Sequence, residues 1–312
     1  MIYCAKPHDK RELKMPARGF SLNAIVGAAM TLAFAVTAQA QNNRSFVATT
    51  GDDINNCSVS AYCRTFTRAL AVTNPGGEIV VVNSGGYGPA TITKAVTISA
   101  TGIDASITQT TSGDNALTIN TTGDVTITGL NLFGGGTGND GVLVQAVGLL
   151  HLYNMQIQGF LESGIEFAPP AGNLILYDSK INDNHRYGLL HTGHQAYVRN
   201  TEFDNNTLAA VSSPGLGGGM TIVNSSAHNN QVAFYTDSGN LALYNDRVIF
   251  NGVALFARNG TVYFADCLIS DNGFSFDADT GGTMAGSSPG TSLVTPGQST
   301  IGLSAPIAIP SE

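Results

Sequence analysis

LHLYNMQI (150–157), LILYDSKI (174–181), AYVRNTEF (196–203), MTIVNSSA (220–227) and LALYNDRV (241–248) are five renderings of one phrase. The third letters, Leu152, Leu176, Val198, Ile222 and Leu243, are all apolar, and so are the first, Leu150, Leu174, Ala196, Met220 and Leu241. The letters between them are polar or mixed. Apolar residues at every second place make a strand with one buried face. The fifth letter is Asn154, Asp178, Asn200, Asn224 and Asn245. Where such strands lie one above another, about 4.8 Å apart, an Asn at each turn can bond to the residues above and below. Asn also accepts the left-handed backbone of a tight corner. We read this column as an interior structural ladder.

The phrase extends both ways, as VTISATGI from Val96, VTITGLNL from Val125 and TVYFADCL from Thr261, where Tyr263 takes the third place. Its copies recur every 20 to 29 residues, which marks a solenoid. A second strand follows in each unit: GVLV from Gly141, GIEF from Gly164, GLLH from Gly188, AAVS from Ala209, AFYT from Ala233, ALFA from Ala254 and SFDA from Ser275. Asn-rich turns such as Asn205-Asn206 and Asn229-Asn230 precede many of them. The chain has 37 glycines, no tryptophan and only 12% charged residues, a composition of short strands and many turns. The fold expected is all-β, a right-handed parallel β-helix. Leucine-rich repeats share the spacing but need an LxxLxL frame that is absent.

The expected organisation is a signal peptide at 1–40, an N-terminal cap and first rung at 41–95, rungs at 96–282 and a Gly/Ser/Pro-rich tail at 283–312. The basic Lys6–Arg18 stretch, the apolar run Ala24–Val36 and Ala38-Gln39-Ala40 have the order of an export signal and its cleavage site. Met15 offers a second start. Export implies a secreted, periplasmic or cell-surface protein with no membrane span after cleavage. Residues 1–40 hold five of 14 basic and two of 22 acidic residues, leaving nine against 20 and a net charge of −11. That charge argues against nucleic acid and anionic membranes as partners. Cys57 and Cys63 read as a disulfide in an exported chain, with a metal pair as the weaker reading. Cys267 is left as a lone thiol. Phe66, Ala69 and Leu70 share one face of a short helix that Pro75-Gly76-Gly77 stops, a lid for the open solenoid end.

The stretch CSVSAYCRTFTRALAVTNPGGEIVVVNSGGYGPATITKAVTIS, Cys57 to Ser99, resembles the cap and first rungs of bacterial right-handed parallel β-helix repeat proteins of the pectate-lyase-like superfamily. The resemblance runs from about Phe46 to Thr280. It is specific for fold and weak for activity, because that superfamily holds lyases, hydrolases, esterases, epimerases and adhesins. It implies that any catalytic groups stand on an outer strand face: carboxylates with Ca²⁺ and an Arg or Lys for a lyase, paired carboxylates for a hydrolase.

Searched for such groups, the expected outward column of the second strand reads Leu143, Glu166, Leu190, Val211, Tyr235, Phe256, Asp277. Its two acids lie five rungs apart, roughly 24 Å, too far to act together. The polar residues Asp183, His185, Arg186, His191, His194, Arg199, Glu202 and Asp204 fall in neighbouring rungs. Of these, His185, Arg199, Glu202 and Asp204 are the catalytic candidates, against a structural role in turns and surface pairs. The fourth letters of the phrase, Tyr153, Tyr177, Arg199, Val223, Tyr244 and Phe264, form an outward stripe able to stack on sugar rings. Alternatively, a loop or the C-terminal tail covers it. Gly134–Asp140 resembles one copy of a calcium-binding nonapeptide, which needs tandem copies and so reads as a turn. The function expected is binding of polysaccharide or another envelope ligand by a monomer without metal or other cofactor. The alternative is an acidic-polysaccharide lyase, hydrolase or epimerase near 183–204, the one case in which Ca²⁺ is expected.

Overall fold

A computed structural model describes residues 42–215, 218–279, 281–286 and 293–294. The expected signal peptide at 1–40 and most of the tail lie outside them. The chain winds as a right-handed parallel β-helix of about nine turns, with one helix among the described residues. One coil shows the plan. Asn173–Tyr177 lies in the first sheet, Lys180–Asn182 in the second, Tyr187–His191 in the third, and a loop returns to Gln195–Arg199 in the first. The three sheets hold eleven, ten and nine strands. Every pairing in them is parallel, as in Leu176↔Val198 and Val198↔Ile222.

The core is the stack of inward columns. Leu152, Leu176, Val198, Ile222 and Leu243 are fully buried in the first sheet, and Ile157, Ile181, Phe203, Ala227 and Val248 in the second. A parallel sheet with its inner face sealed in this way needs β-branched and aliphatic residues there, which is what the period-two pattern supplies.

Two columns differ from the sequence expectation in register. Phe264, not Tyr263, pairs with Leu243 and is buried, while Tyr263 pairs with Ala242 and faces outward. Likewise Ser212 pairs with Leu190 and Tyr235, and Val211 points into the core. In both places residues of either parity are able to pack inside, so alternation alone does not choose between them.

The ladder is the larger correction. Asn154, Asp178, Asn200, Asn224 and Asn245 do stack, all left-handed with φ of 50–55°, but they are exposed on the outer corner between the first and second sheets. There Asn200 Nδ2 donates to Asp178 Oδ1 at 2.9 Å and Asn245 Nδ2 to Asn224 Oδ1 at 2.7 Å. The interior ladder stands at the next corner and consists of Asn184, Asn206, Asn230, Asn251 and Asn272. Each amide donates to the Oδ1 of the next, at 2.9, 3.2, 3.0 and 3.0 Å. From Asn206 onward each also donates to a backbone carbonyl of the preceding coil. At every corner the first residue takes the left-handed turn outside and the second swings inside.

The N-terminal end is closed by the helix Phe66–Val72, capped by Thr65 Oγ1 and burying Phe66, Ala69, Leu70 and Val72. The chain enters a strand directly at Thr73, so Pro75-Gly76-Gly77 lies inside that strand and does not stop the helix. Cys57 and Cys63 form a disulfide, and the loop they close hydrogen-bonds along the outer edge of the first strand, Asn42–Val47. That protects an edge which would otherwise offer unpaired backbone. At the other end the coil runs past 282: Thr283–Gly286 adds to the first sheet and Leu293–Val294 to the second.

Candidate functional site

Two outward faces gather chemistry. On the first sheet, Tyr153, Tyr177, Arg199, Val223 and Tyr244 occupy one column, which continues to Ala265; Phe264 is absent from it because it is buried. A second outward column beside it holds His151, Ile175, Tyr197, Thr221, Ala242 and Tyr263. The two columns interlock. Tyr153 meets His151 at 5.6 Å, Tyr177 at 5.4 Å, and Tyr177 meets Tyr197 at 5.8 Å, all edge to face. The Tyr153 hydroxyl lies 2.9 Å from His151 Nδ1. All four rings are half-buried, and burial pushes the Tyr153 hydroxyl above its ordinary value, helped by Tyr177. An open depression of about 480 Å³ flanks them, lined by Leu149, Ile175, Gln195, Tyr197 and Thr221. His151 and Tyr197 are members of this ledge that the fourth-letter stripe omits; their second-letter position, equally outward, is the signal for them.

On the second sheet, Lys180 and Glu202 pair across neighbouring coils at 3.0 Å. Asp204 stands two residues after Glu202 on the same face, and His228 follows it in the next coil. Burial and the hydrogen bond to Glu202 push the Asp204 carboxyl up to about 7. Glu202 is held below its ordinary range by that same bond and by Lys180. The two carboxyls are thus pushed in opposite directions, Asp204 towards its protonated form and Glu202 towards its ionised one. His228 Nδ1 lies 3.0 Å from Asp204 Oδ1 but off the hydrogen-bond line, and burial followed by Arg247 lowers the imidazole.

The remaining candidates scatter. His185 and His194 are exposed in turns, and Arg199 is on the first sheet. His191 points into the core, stacked on Phe167 at 5.5 Å with Nε2 unpartnered, and burial lowers its pKa to about 4. Arg186 pairs with Glu162, while Asp183 accepts from Asn205 at 3.2 Å. Glu166 and Asp277 share an outward column, five coils apart. The Gly134–Asp140 stretch is a tight turn whose Asp140 is buried and accepts from the Ser163 amide at 2.9 Å. A Cβ on Gly134 would meet the Gly159 carbonyl at 2.4 Å, so the glycine is there for packing. Among the described residues no three His, Cys, Asp or Glu are arranged to hold a metal ion, and no helix is long and apolar enough to cross a membrane.

Comparison with known proteins gives a consistent result. The family described as "Right handed beta helix region" matches residues 46–248 and 163–292. Solved structures of similar fold include pectate lyase Pel9A, at 15% identity and a TM-score of 0.55 over 78% of this chain and 74% of that one. Another is XylC in complex with xylose, at 11% identity and a TM-score of 0.59 over 78% and 69%. A search of curated proteins returns no match.

Proposed function

Since the chain belongs to the right-handed β-helix family, we propose that it is an exported protein that binds polysaccharide along the outer face of its first sheet. The observation that carries this reading is the continuous ledge His151–Tyr153–Tyr177–Tyr197 beside an open depression. Rings held edge to face by the sheet present rigid apolar surface at little entropic cost, and the hydroxyls remain to bond sugar oxygens. The Cys57–Cys63 disulfide supports an oxidising location. The monomeric state belongs to the same proposal. A Tyr153/Tyr177/Tyr197→Ala triple variant should lose at least tenfold in affinity in polysaccharide pull-down and glycan-array measurements. Unchanged binding by that variant would sink the reading.

A second reading is favoured by one observation, the placement of Glu202 and Asp204 two residues apart on one outward face beside Lys180, where burial and their mutual contact push Asp204 towards its protonated form. A protonated acid beside an ionised one is an acid–base pair, able to protonate a leaving group while its partner takes a proton. In this alternative the second sheet carries polysaccharide cleavage. It predicts release of reducing or unsaturated ends that falls at least a hundredfold in both Asp204→Asn and Glu202→Gln, with the activity failing as pH rises through about 7. Product release that survives either substitution excludes it.

A further inference from the structure

At the corner where the first sheet passes into the second, near the N-terminal end, there is a separate cavity of about 440 Å³. Its origin is in the corner lengths. The coil that begins with Val96–Ser99 turns through a long loop with Gly102, Ile103 and Asp104, which lies over the next corner, where Gly129 stands alone. Gly129 is left-handed, with φ 79°, in the column that later coils fill with Asn154 and Asp178. A Cβ there would meet the Ala100 carbonyl at 2.9 Å. The glycine thus lets the Ala100 backbone close over this corner, and Asn154, Gln156, Asp178 and Lys180 of the two following coils make the far wall of the cavity.

We infer that this corner cavity is a binding site for an uncharged sugar, distinct from the aromatic ledge. Its volume falls within the range of small-molecule sites. Asp104, Asn131, Asn154, Gln156, Asp178 and Lys180 line it with hydrogen-bonding groups, beside the apolar Ala100, Ile103 and Met155. Two carboxylates and three amides offer acceptors and donors in the mixture that vicinal hydroxyls need. Several retain capacity. Asp104 and Asp178 each accept one bond from an Asn, at 2.6 and 2.9 Å, leaving further lone pairs, and the Gln156 amide donates only to Gln158. The charges select against acids. Lys180 is the one cation in the lining and its charge is already matched by Glu202, so the two aspartates dominate the field. Ala100, Ile103 and Met155 give the apolar surface against which a sugar ring face can lie, and no three ligating groups are set for a metal ion among the described residues.

Calorimetric titration of the full chain with cellotriose and xylotriose, and with trigalacturonate as the anionic control, tests the site. Gln156→Tyr should fill the cavity from an outward strand position, and Asn131→Tyr does the same from the neighbouring coil; circular dichroism verifies that both remain folded. Expected is saturable binding of at least one neutral trisaccharide, weakened tenfold or more by both variants and unchanged by Tyr153/Tyr177/Tyr197→Ala. Trigalacturonate should bind at least tenfold more weakly. Failure of both neutral probes to bind, equal affinity for trigalacturonate, or undiminished binding by the two cavity variants overturns the inference. Loss of binding in the tyrosine variant alone overturns it as well, in favour of the ledge.

Discussion

Asn206 and Asn224 are two asparagines of opposite duty, and their substitution separates inside from outside. Asn206 is fully buried, donates to Ile181 O and Asn230 Oδ1, and accepts from the amide of Asn184. Asn206→Ala leaves those partners unsatisfied in the core and should cost about 2–4 kcal/mol in chemical denaturation. Asn224 is exposed and left-handed, so Asn224→Gly should change stability by less than about 1 kcal/mol. Adjacent pairs such as Asn205-Asn206 conceal this difference in the sequence, because a corner needs one residue of each kind and both are Asn. Asp246 occupies the corresponding inward place at the first corner, beneath Ser225, whose amide donates to it at 2.6 Å. Burial pushes its carboxyl up to about 8 from an ordinary value of 3.8. The folded state thus holds a proton that the unfolded chain releases. This contribution is complete below about pH 4 and is lost as pH rises through about 8. Melting temperatures measured from pH 5 to 9 should therefore decline less in Asp246→Asn than in the parent chain.

Among elements, the N-terminal cap concentrates the most protection in the least chain. The amide of Phe46 donates to Cys57 O, and that of Cys63 to Phe46 O, so the disulfide loop closes the outer edge of Asn42–Val47. With both cysteines replaced by serine, the short loop is free to open in the unfolded chain, and stability should fall by about 2 kcal/mol. Hydrogen exchange should show Phe46 and Cys63 losing protection before the strands at 174–177 or 196–199. The cap, the helix and most strands were legible because each carries a local signature: paired cysteines, an apolar helical face, alternation. The strand Thr261–Ala265 was not, since TVYFA places an aromatic residue at both parities and only the pairing of Phe264 with Leu243 chooses. The ledge and the Glu202–Asp204 pair were half legible in the same way. Period two puts residues on one face, but the partners Lys180 and His228 come from other coils and appear only once the register is known.

For the whole molecule, the repeat is a statement about what each coil touches. A coil contacts its neighbours above and below through matching columns, so removing one complete coil should preserve every junction. Val223 pairs with Tyr244, and deletion of 224–244 joins Val223 to Asn245 in register, setting Asn206 against Asn251 in the interior ladder. Circular dichroism and denaturation should show a shorter, cooperatively unfolding β-helix. Deletion of 224–233, which removes half a coil, should abolish folding. The same translational sameness bears on the face proposed to hold polysaccharide. A polymer lying along the axis and displaced by one strand spacing would exchange one ring contact for another, so its binding registers are nearly degenerate and it can slide without letting go. What arrests sliding is whatever breaks the period. In the ledge column that break is Arg199, a lone guanidinium between Tyr177 and Val223, and it marks where a moving chain would be parked.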